Sequence, residues 1–346
     1  MPENMPDMVM TFGCKQMYRI FLTHTPDMLA NYYGQRAVAA LRDIAEVLVN
    51  PTGCVLDAAA LAEHARGCEI VVSDRRTPGC GAFFEAAPDL VAFLRCAVDI
   101  RNVDVAAASR HGILVTHATP GFAASVAELG IGFMIDLARG VSDAVIEYRT
   151  GREPKVRMGR QLQGSTLGVI GYGVIGRHLA PLAKALGMRV LVTDPYRRAE
   201  DGIEQVPFEA LLAESDFVVC LAVATEETEN LMNAAAFARM KPSAYFVNLS
   251  RGNLVDEAAL EAALDDRRIA GAALDVGRAP DQMPSPRLAR RPDAIATPHT
   301  AGLTPGAVEH QACDTVEQAR AVLAGEVPPG AVNAGSATRL SRLRRS

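Results

Sequence analysis

An apolar run, Leu167 to Ile170, leads straight into Gly171-Tyr172-Gly173-Val174-Ile175-Gly176, and from Val174 to Leu186 the residues carry helical patterning. A second apolar run, RVLVTD, ends at Asp194, 23 residues after Gly171. A strand, a G-x-G-x-x-G turn, a helix and a strand ending in an acid constrain this part of the chain to a βαβ unit built around a dinucleotide. Each glycine has a distinct job there. Gly171 permits the tight turn, Gly173 lets backbone approach a pyrophosphate, and Gly176 lets the helix pack closely on the sheet. The phosphates then rest on free N–H groups at the positive end of the helix, with Val174 and Ile175 in its first turn. Asp194 falls where a carboxylate accepts hydrogen bonds from the adenosine ribose diol. Its charge repels a 2′-phosphate, which favours NAD over NADP, with Arg197 and Arg198 near enough in sequence to offset part of that repulsion.

The chain has 346 residues, 49% hydrophobic and 22% charged, enough for about two well-buried domains. A net charge of −5 argues against a nucleic-acid surface, which needs clustered positive charge. The one basic cluster, Arg339, Arg342, Arg344 and Arg345, reads as a frayed, solvated tail. Seven cysteines, Cys14 the first, are scattered without a C-x-x-C pair, so neither a metal cage nor a disulfide framework is expected and a reducing cytoplasm fits best. The N-terminus lacks the basic start and apolar core of a signal peptide. No run approaches a membrane span, so a soluble protein is expected.

Short apolar strands at Arg19 to Thr23, Glu46 to Val49, Glu69 to Val72, Val91 to Cys96 and Ile113 to Thr116 alternate with helical stretches as an α/β domain requires. The segment Ser125 to Arg139 is apolar on nearly every side, which predicts a helix buried all round, between domains or against a second subunit. Beyond the nucleotide unit the alternation continues through Phe217 to Leu221, Tyr245 to Leu249, Gly271 to Leu274 and Ala294 to Ala296. A last helix near Pro305 to Leu323 has no sheet of its own to cover and is expected to return to the first domain. The expected fold class is therefore α/β, with a Rossmann nucleotide-binding domain, residues 119–300, inserted into a discontinuous flavodoxin-like substrate domain, residues 1–118 and 301–346.

The blocks NVD at Asn102, SVAELG at Ser125, GVIGYGVIG, NLSRGNLVDEAAL at Asn248, GAALDV at Gly271 and TPHTAG at Thr297, in this order and spacing, resemble the D-isomer-specific 2-hydroxyacid dehydrogenases. That family includes glyoxylate/hydroxypyruvate reductases, phosphoglycerate dehydrogenases and formate dehydrogenases. The resemblance implies hydride exchange between a nicotinamide and C2 of a 2-oxo or 2-hydroxy acid, and a homodimer formed through the SVAELG helix. Arg251 matches the catalytic arginine, a flat guanidinium that grips a carboxylate through paired donors. His299 matches the proton carrier, imidazole being the side chain suited to neutral pH. Asp275 resembles the residue beside the nicotinamide ribose, or else a turn-capping Asp. Leu249, Ser250, Arg251 and His299 are expected to border the cofactor.

Two departures stand out. The family places a Glu five residues after that Asp as the partner of its His, whereas position 280 here is Pro. Asp281 is the nearest carboxylate and is expected as the third catalytic residue, or else as a turn residue of a proline loop. In the substrate loop the family has G-x-G, and this chain has Ala97-Val98-Asp99-Ile100-Arg101-Asn102. Ala97, Val98 and Asp99, with Arg251, are the expected substrate contacts. Asp99 either binds a hydroxyl or amine, or sits with Arg101 in solvent. The competing functional class is an NAD-sensing binding protein like the family's corepressor relatives.

Overall fold

The computed structural model describes residues 17–200 and 202–343. Cys14, Arg344 and Arg345 lie outside the described residues. The chain divides into two compact units, one from the segments before Pro120 and after Ala307, the other from Pro120 to Ala307.

The first unit holds five strands: β1 (Arg19–Leu22), β2 (Glu46–Val49), β3 (Ile70–Ser73), β4 (Ala92–Arg95) and β5 (Leu114–His117). All pair in parallel in the order β2-β1-β3-β4-β5, the flavodoxin-like arrangement. A parallel sheet needs cover on both faces, and every residue of β3 and β4 is buried. One face packs Ile20, Leu22, Ile70 and Val72 against Val38, Leu41, Val316 and Val322; the other packs Phe21, Val71 and Phe93 against Leu61, Phe83 and Phe84. Full burial of each such side chain contributes about 1.5–3 kcal/mol.

The second unit holds seven strands: β6 (Thr166–Ile170), β7 (Arg189–Thr193), β8 (Glu204–Gln205), β9 (Phe217–Cys220), β10 (Tyr245–Asn248), β11 (Gly271–Leu274) and β12 (Ala294–Ala296). Their order, β12-β11-β10-β9-β6-β7-β8, is the Rossmann order with one strand added, again wholly parallel. β8 is a two-residue edge strand with no apolar run to announce it. The division after this unit falls at Ala307, seven residues beyond the boundary at 300 expected from sequence (307 − 300). Ala301 packs into this unit's core, and Thr304 hydrogen-bonds Ser125 at 2.7 Å, which keeps 301–307 here.

Within the single chain the helix Ala123–Arg139 packs Val126, Ala127, Phe133 and Met134 inward and leaves Ala124, Glu128, Gly132, Ile135 and Arg139 as one exposed stripe, so the expected burial on every side would need a second subunit. One expectation needs correction. The arginine-rich end is not frayed up to Leu343. Residues Thr338–Leu343 form a 3-10 helix that buries Leu340 and Leu343. Arg339 donates to the carbonyls of Ala87 and Leu90 at 2.7 and 2.8 Å, and Arg342 to that of Pro88 at 2.8 Å. The apolar pair at spacing three drives the docking, and the guanidiniums satisfy carbonyls at the entry to β4.

His24, just after β1, is 1% exposed and tilts against Tyr33 at 4.8 Å. Burial drives its pKa down to about 4, outweighing nearby Asp74, which favours the charged form. The unfolded chain takes up this proton near pH 6.5 and the folded one only near 4, so the stability due to neutral His24 is complete above pH 6.5 and lost as pH falls toward 4. The loss amounts to about 3 kcal/mol. In urea titrations at pH 7 and pH 4, His24→Leu should lose correspondingly less stability on acidification than the native chain; equal losses would remove His24 as the cause.

Candidate functional site

The glycine turn follows β6 directly. Gly171 has φ +95°, open to glycine but not to L side chains, and a Cβ there would lie 2.7 Å from the Ala222 nitrogen at the end of β9. Gly173 is the N-cap of the helix Val174–Ala185, no side chain caps it, and a Cβ at Gly173 would meet nothing within 4 Å. Val174 is exposed and Ile175 packs partly into the core. At Gly176 a Cβ would lie 2.6 Å from the Gly171 carbonyl oxygen, so this glycine packs the helix onto the turn more closely than onto the sheet. An uncapped helix N-terminus with open space before it fits a pyrophosphate, which brings acceptor oxygens and negative charge to amide donors and the positive end of the helix dipole.

Asp194 follows β7. Its Oδ2 accepts from the Tyr172 N–H of the glycine turn at 2.7 Å, and its Oδ1 from the N–H groups of Tyr196 and Arg197 at 2.8 and 2.9 Å. A carboxylate has about four acceptor positions, so room for a ribose hydroxyl remains beside these three bonds. Asp194 thus ties the turn after β6 to the turn after β7.

Three neighbouring strands, β10, β11 and β12, end in the remaining residues. After β10, the buried Asn248 folds the NLSRG turn: its Oδ1 accepts from the Ser250 N–H at 3.1 Å and its Nδ2 donates to the Arg251 carbonyl at 3.0 Å. Ser250 Oγ donates to the Ala222 carbonyl, and the Arg251 guanidinium donates to the Ser250 carbonyl at 2.7 Å. Leu249 points its side chain into the core, leaving only its main chain for a cofactor.

Asp275, 1% exposed at the end of β11, spends its carboxylate on the next loop: Oδ1 accepts from Thr297 Oγ1 at 2.5 Å and the Thr300 N–H at 2.9 Å, Oδ2 from the Ala301 N–H at 2.9 Å. This is the turn-capping alternative of the sequence reading, applied to the loop that carries His299. His299 has φ +56°, and its N–H donates to the Asp275 carbonyl at 2.9 Å. The ring Nδ1 meets Asp281 at 2.8 Å through the main-chain carbonyl, where sequence reasoning expected the carboxylate. Asp281 and Gln282 both have positive φ, 58° and 59°, which turns that carbonyl toward the ring.

In the first unit, Ala97, Val98 and Asp99 follow β4 and are half-buried. The Asp99 carboxylate takes the Arg101 side chain, with Arg101 Nε at 3.0 Å and Nη2 at 2.5 Å, both residues exposed to solvent in part. Beneath them lies Arg95, 2% exposed, which sequence reasoning missed. It donates to the carbonyls of Asp74, Arg75, Thr77 and Asp99, joining the loop after β3 to the loop after β4. Burial lowers its pKa, partly countered by Asp74 and Asp99. Arg278 was also missed: it donates to Glu229, Asn230 and the carbonyls of Asn253 and Val255, bracing the loops beside β10 and β11. Arginines whose partners are main-chain carbonyls or side chains some twenty or more residues away leave no spacing signal in a sequence.

The model of the D-isomer specific 2-hydroxyacid dehydrogenase NAD-binding domain matches residues 131–301. A glyoxylate reductase of Korarchaeum cryptofilum is 37% identical over 281 residues, 78% of this chain and 84% of its own length. A D-3-phosphoglycerate dehydrogenase of Synechocystis sp. is 39% identical over 254 residues; the match takes in 72% of this chain and 46% of that longer protein, so this chain corresponds to about half of it. Among solved structures, the D-lactate dehydrogenase of Escherichia coli superposes with a TM-score of 0.75 at 27% identity, covering 91% of this chain and 100% of that one. The dinucleotide turn, the ordered strand-end residues and these relatives agree: the chain belongs to the D-isomer specific 2-hydroxyacid dehydrogenases, and its second unit contains the family's NAD-binding domain.

Proposed function

We propose that this protein transfers a hydride between NAD and C2 of a small 2-hydroxy/2-oxo acid, with Arg251 and His299 as catalytic residues. The observation that carries this reading is that Arg251, Asp275 and His299 follow three neighbouring parallel strands, at the carboxyl edge where such sheets receive ligands. The second unit, from Pro120 to Ala307, is the cofactor domain in this reading, and the first is the substrate domain, offering the main chain of Ala97, Val98 and Asp99.

NAD supplies the hydride acceptor, and the rest falls to the chain. Gly171, Gly173, Val174, Ile175 and Gly176 form the pyrophosphate cradle, Asp194 takes the ribose, and Leu249, Ser250 and Asp275 shape the wall. NADH should bind more tightly than NADPH, and Asp194→Ala should narrow the difference; titration by fluorescence quenching decides it, and tighter NADPH binding by the native protein would sink the assignment.

Arg251 grips the substrate carboxylate and polarises the carbonyl through two parallel N–H bonds, a geometry ammonium does not reproduce. Because a carbonyl can only accept, the Asp281 oxygen fixes the hydrogen of neutral His299 on Nδ1 and leaves Nε2 for the substrate oxygen. In reduction the imidazolium form, hydrogen-bearing on both nitrogens, delivers its Nε2 proton to the substrate oxygen and becomes the neutral Nδ1–H ring; in oxidation that neutral ring receives the hydroxyl proton on Nε2. Arg251→Lys should cripple turnover while NADH affinity stays largely intact. His299→Ala should cost on the order of a hundred- to ten-thousandfold in kcat. Steady-state NADH oxidation over a panel of 2-oxo acids tests both, and near-native turnover in either variant would refute that residue's role.

A cytoplasmic homodimer completes the reading. Among the described residues all six cysteines are free, and no helix is long and apolar enough to cross a membrane. The exposed stripe of the helix Ala123–Arg139 continues into the helix Val141–Arg149, which exposes Val141, Val145, Ile146 and Tyr148. Apolar exposure on this scale is what a second copy would cover. Light scattering should find twice the 36.8 kDa chain mass, and Ile146→Asp with Tyr148→Asp should lower it toward one chain; an unchanged mass would place the interface elsewhere.

A further inference from the structure

The loop from Gly277 to Pro284 does more than avoid the missing Glu. We propose that His299 is positioned for proton exchange by the peptide carbonyl of Asp281, so that what residue 281 gives the ring is its backbone conformation in place of a carboxylate contact. The inference rests on the reading of His299 as the proton carrier.

Four observations converge on it. The Asp281 carbonyl oxygen lies 2.8 Å from Nδ1, an ordinary hydrogen-bond length. That oxygen reaches the ring because two successive non-glycine residues, Asp281 (φ 58°, ψ 26°) and Gln282 (φ 59°), are left-handed. Such a pair persists only where its surroundings over-determine it, and strained backbone of this kind clusters at functional sites. Here the Gly277 N–H donates to the Gln282 carbonyl at 2.8 Å and the Ala279 N–H to the Met283 carbonyl at 3.0 Å, so the turn is clamped on both sides of Asp281.

The imidazole side is held just as firmly. His299 is itself left-handed, its N–H bonds the Asp275 carbonyl, and the Asp275 carboxylate pins Thr297, Thr300 and Ala301 around it. Main-chain atoms therefore fix both ends of the Nδ1 contact. Aspartate suits position 281 because it tolerates left-handed backbone better than most residues do, as asparagine does also. A carbonyl accepts the Nδ1 hydrogen as a carboxylate does, so the ring keeps its orientation and tautomer without a charged partner.

Charge and backbone conformation make opposite demands on residue 281, so three substitutions separate them. Asp281→Asn keeps the left-handed tolerance and removes the charge; Asp281→Glu keeps the charge; Asp281→Val removes both, because a β-branched residue is a poor fit to positive φ. With NADH and the best 2-oxo acid, kcat should rank Asn above Glu and Glu above Val, with Val at least tenfold below Asn. A ranking by charge, Glu above Asn, overturns the proposal, and so does an equal effect of all three.

The second measurement needs no turnover. In ¹⁵N-histidine-labelled protein at a pH where His299 is neutral, its resonances should show the Nδ1–H tautomer in the native chain and in Asp281→Asn, and a tautomer mixture in Asp281→Val. An Nε2–H tautomer in the native chain, or its appearance in Asp281→Asn, refutes the carbonyl contact even if every variant folds and turns over. A native protein inactive on all 2-oxo acids but with Nδ1–H retained would count against the dehydrogenase reading alone.

Discussion

A parallel sheet joins its strands only by crossovers, and that constraint puts every strand-to-helix turn of a unit at the same edge. In the second unit Gly171, Asp194, Arg251, Asp275 and His299 follow β6, β7, β10, β11 and β12, and none lies inside a helix. In the first, His24, Asp74 and Asp99 follow β1, β3 and β4. The buried strands fix where these turns begin to within the tolerance of a packed core. The turns themselves are irregular backbone, whose N–H and C=O groups need partners that the sheet no longer provides.

Aspartates supply many of those partners. Asp74 accepts from the N–H groups of Arg76 and Thr77, Asp194 from Tyr172, Tyr196 and Arg197, and Asp275 from Thr300 and Ala301; at the opposite edge Asp216, just before β9, accepts from the N–H of Thr166 at the start of β6. Burial pushes the Asp74 and Asp216 carboxyls up, yet hydrogen bonds from Thr23 and Thr77 to Asp74, and from Thr166 and Lys241 to Asp216, win and hold both below the usual carboxylate range. One buried carboxylate with several donors can fix a whole turn. Replacing it leaves each donor wanting, at about 1–3 kcal/mol apiece where water cannot reach.

This division explains what could be read from the sequence. Apolar runs between turn residues placed eleven of the twelve strands, and missed only β8, whose Glu-Gln pair has no apolar signature. The glycine turn was legible because φ +95° at Gly171 and the close approach at Gly176 leave only one residue type. Arg251, Asp275 and His299 were legible through the family resemblance of the NLSRG, ALDV and TPHTAG blocks. The atoms they use were not: the resemblance pointed to Asp281 as partner of His299 but could not tell carbonyl from carboxylate, since that depends on two left-handed residues, neither of them glycine. The same limit hid the side chain of Leu249 in the core and the carbonyl-bound Arg95 and Arg339, whose partners lie distant in sequence or carry no side-chain signature.

Arg95 and Asp99 show how frame and chemistry separate within one loop. The Asp99–Arg101 pair is exposed in part, with side chains 38% and 66% accessible, and pairs of this kind contribute at most about 1 kcal/mol. Arg95 is buried, and stripping its donors would orphan carbonyls of the loops after both β3 and β4. The shape of residues 97–102 therefore depends on the guanidinium, which takes the Asp99 carbonyl, and on the Asp99 carboxylate, which accepts the Arg101 main-chain N–H at 3.0 Å. The glycines that the family uses in this loop can thus give way to charged residues while β4, Arg95 and the turn they support stay where they are.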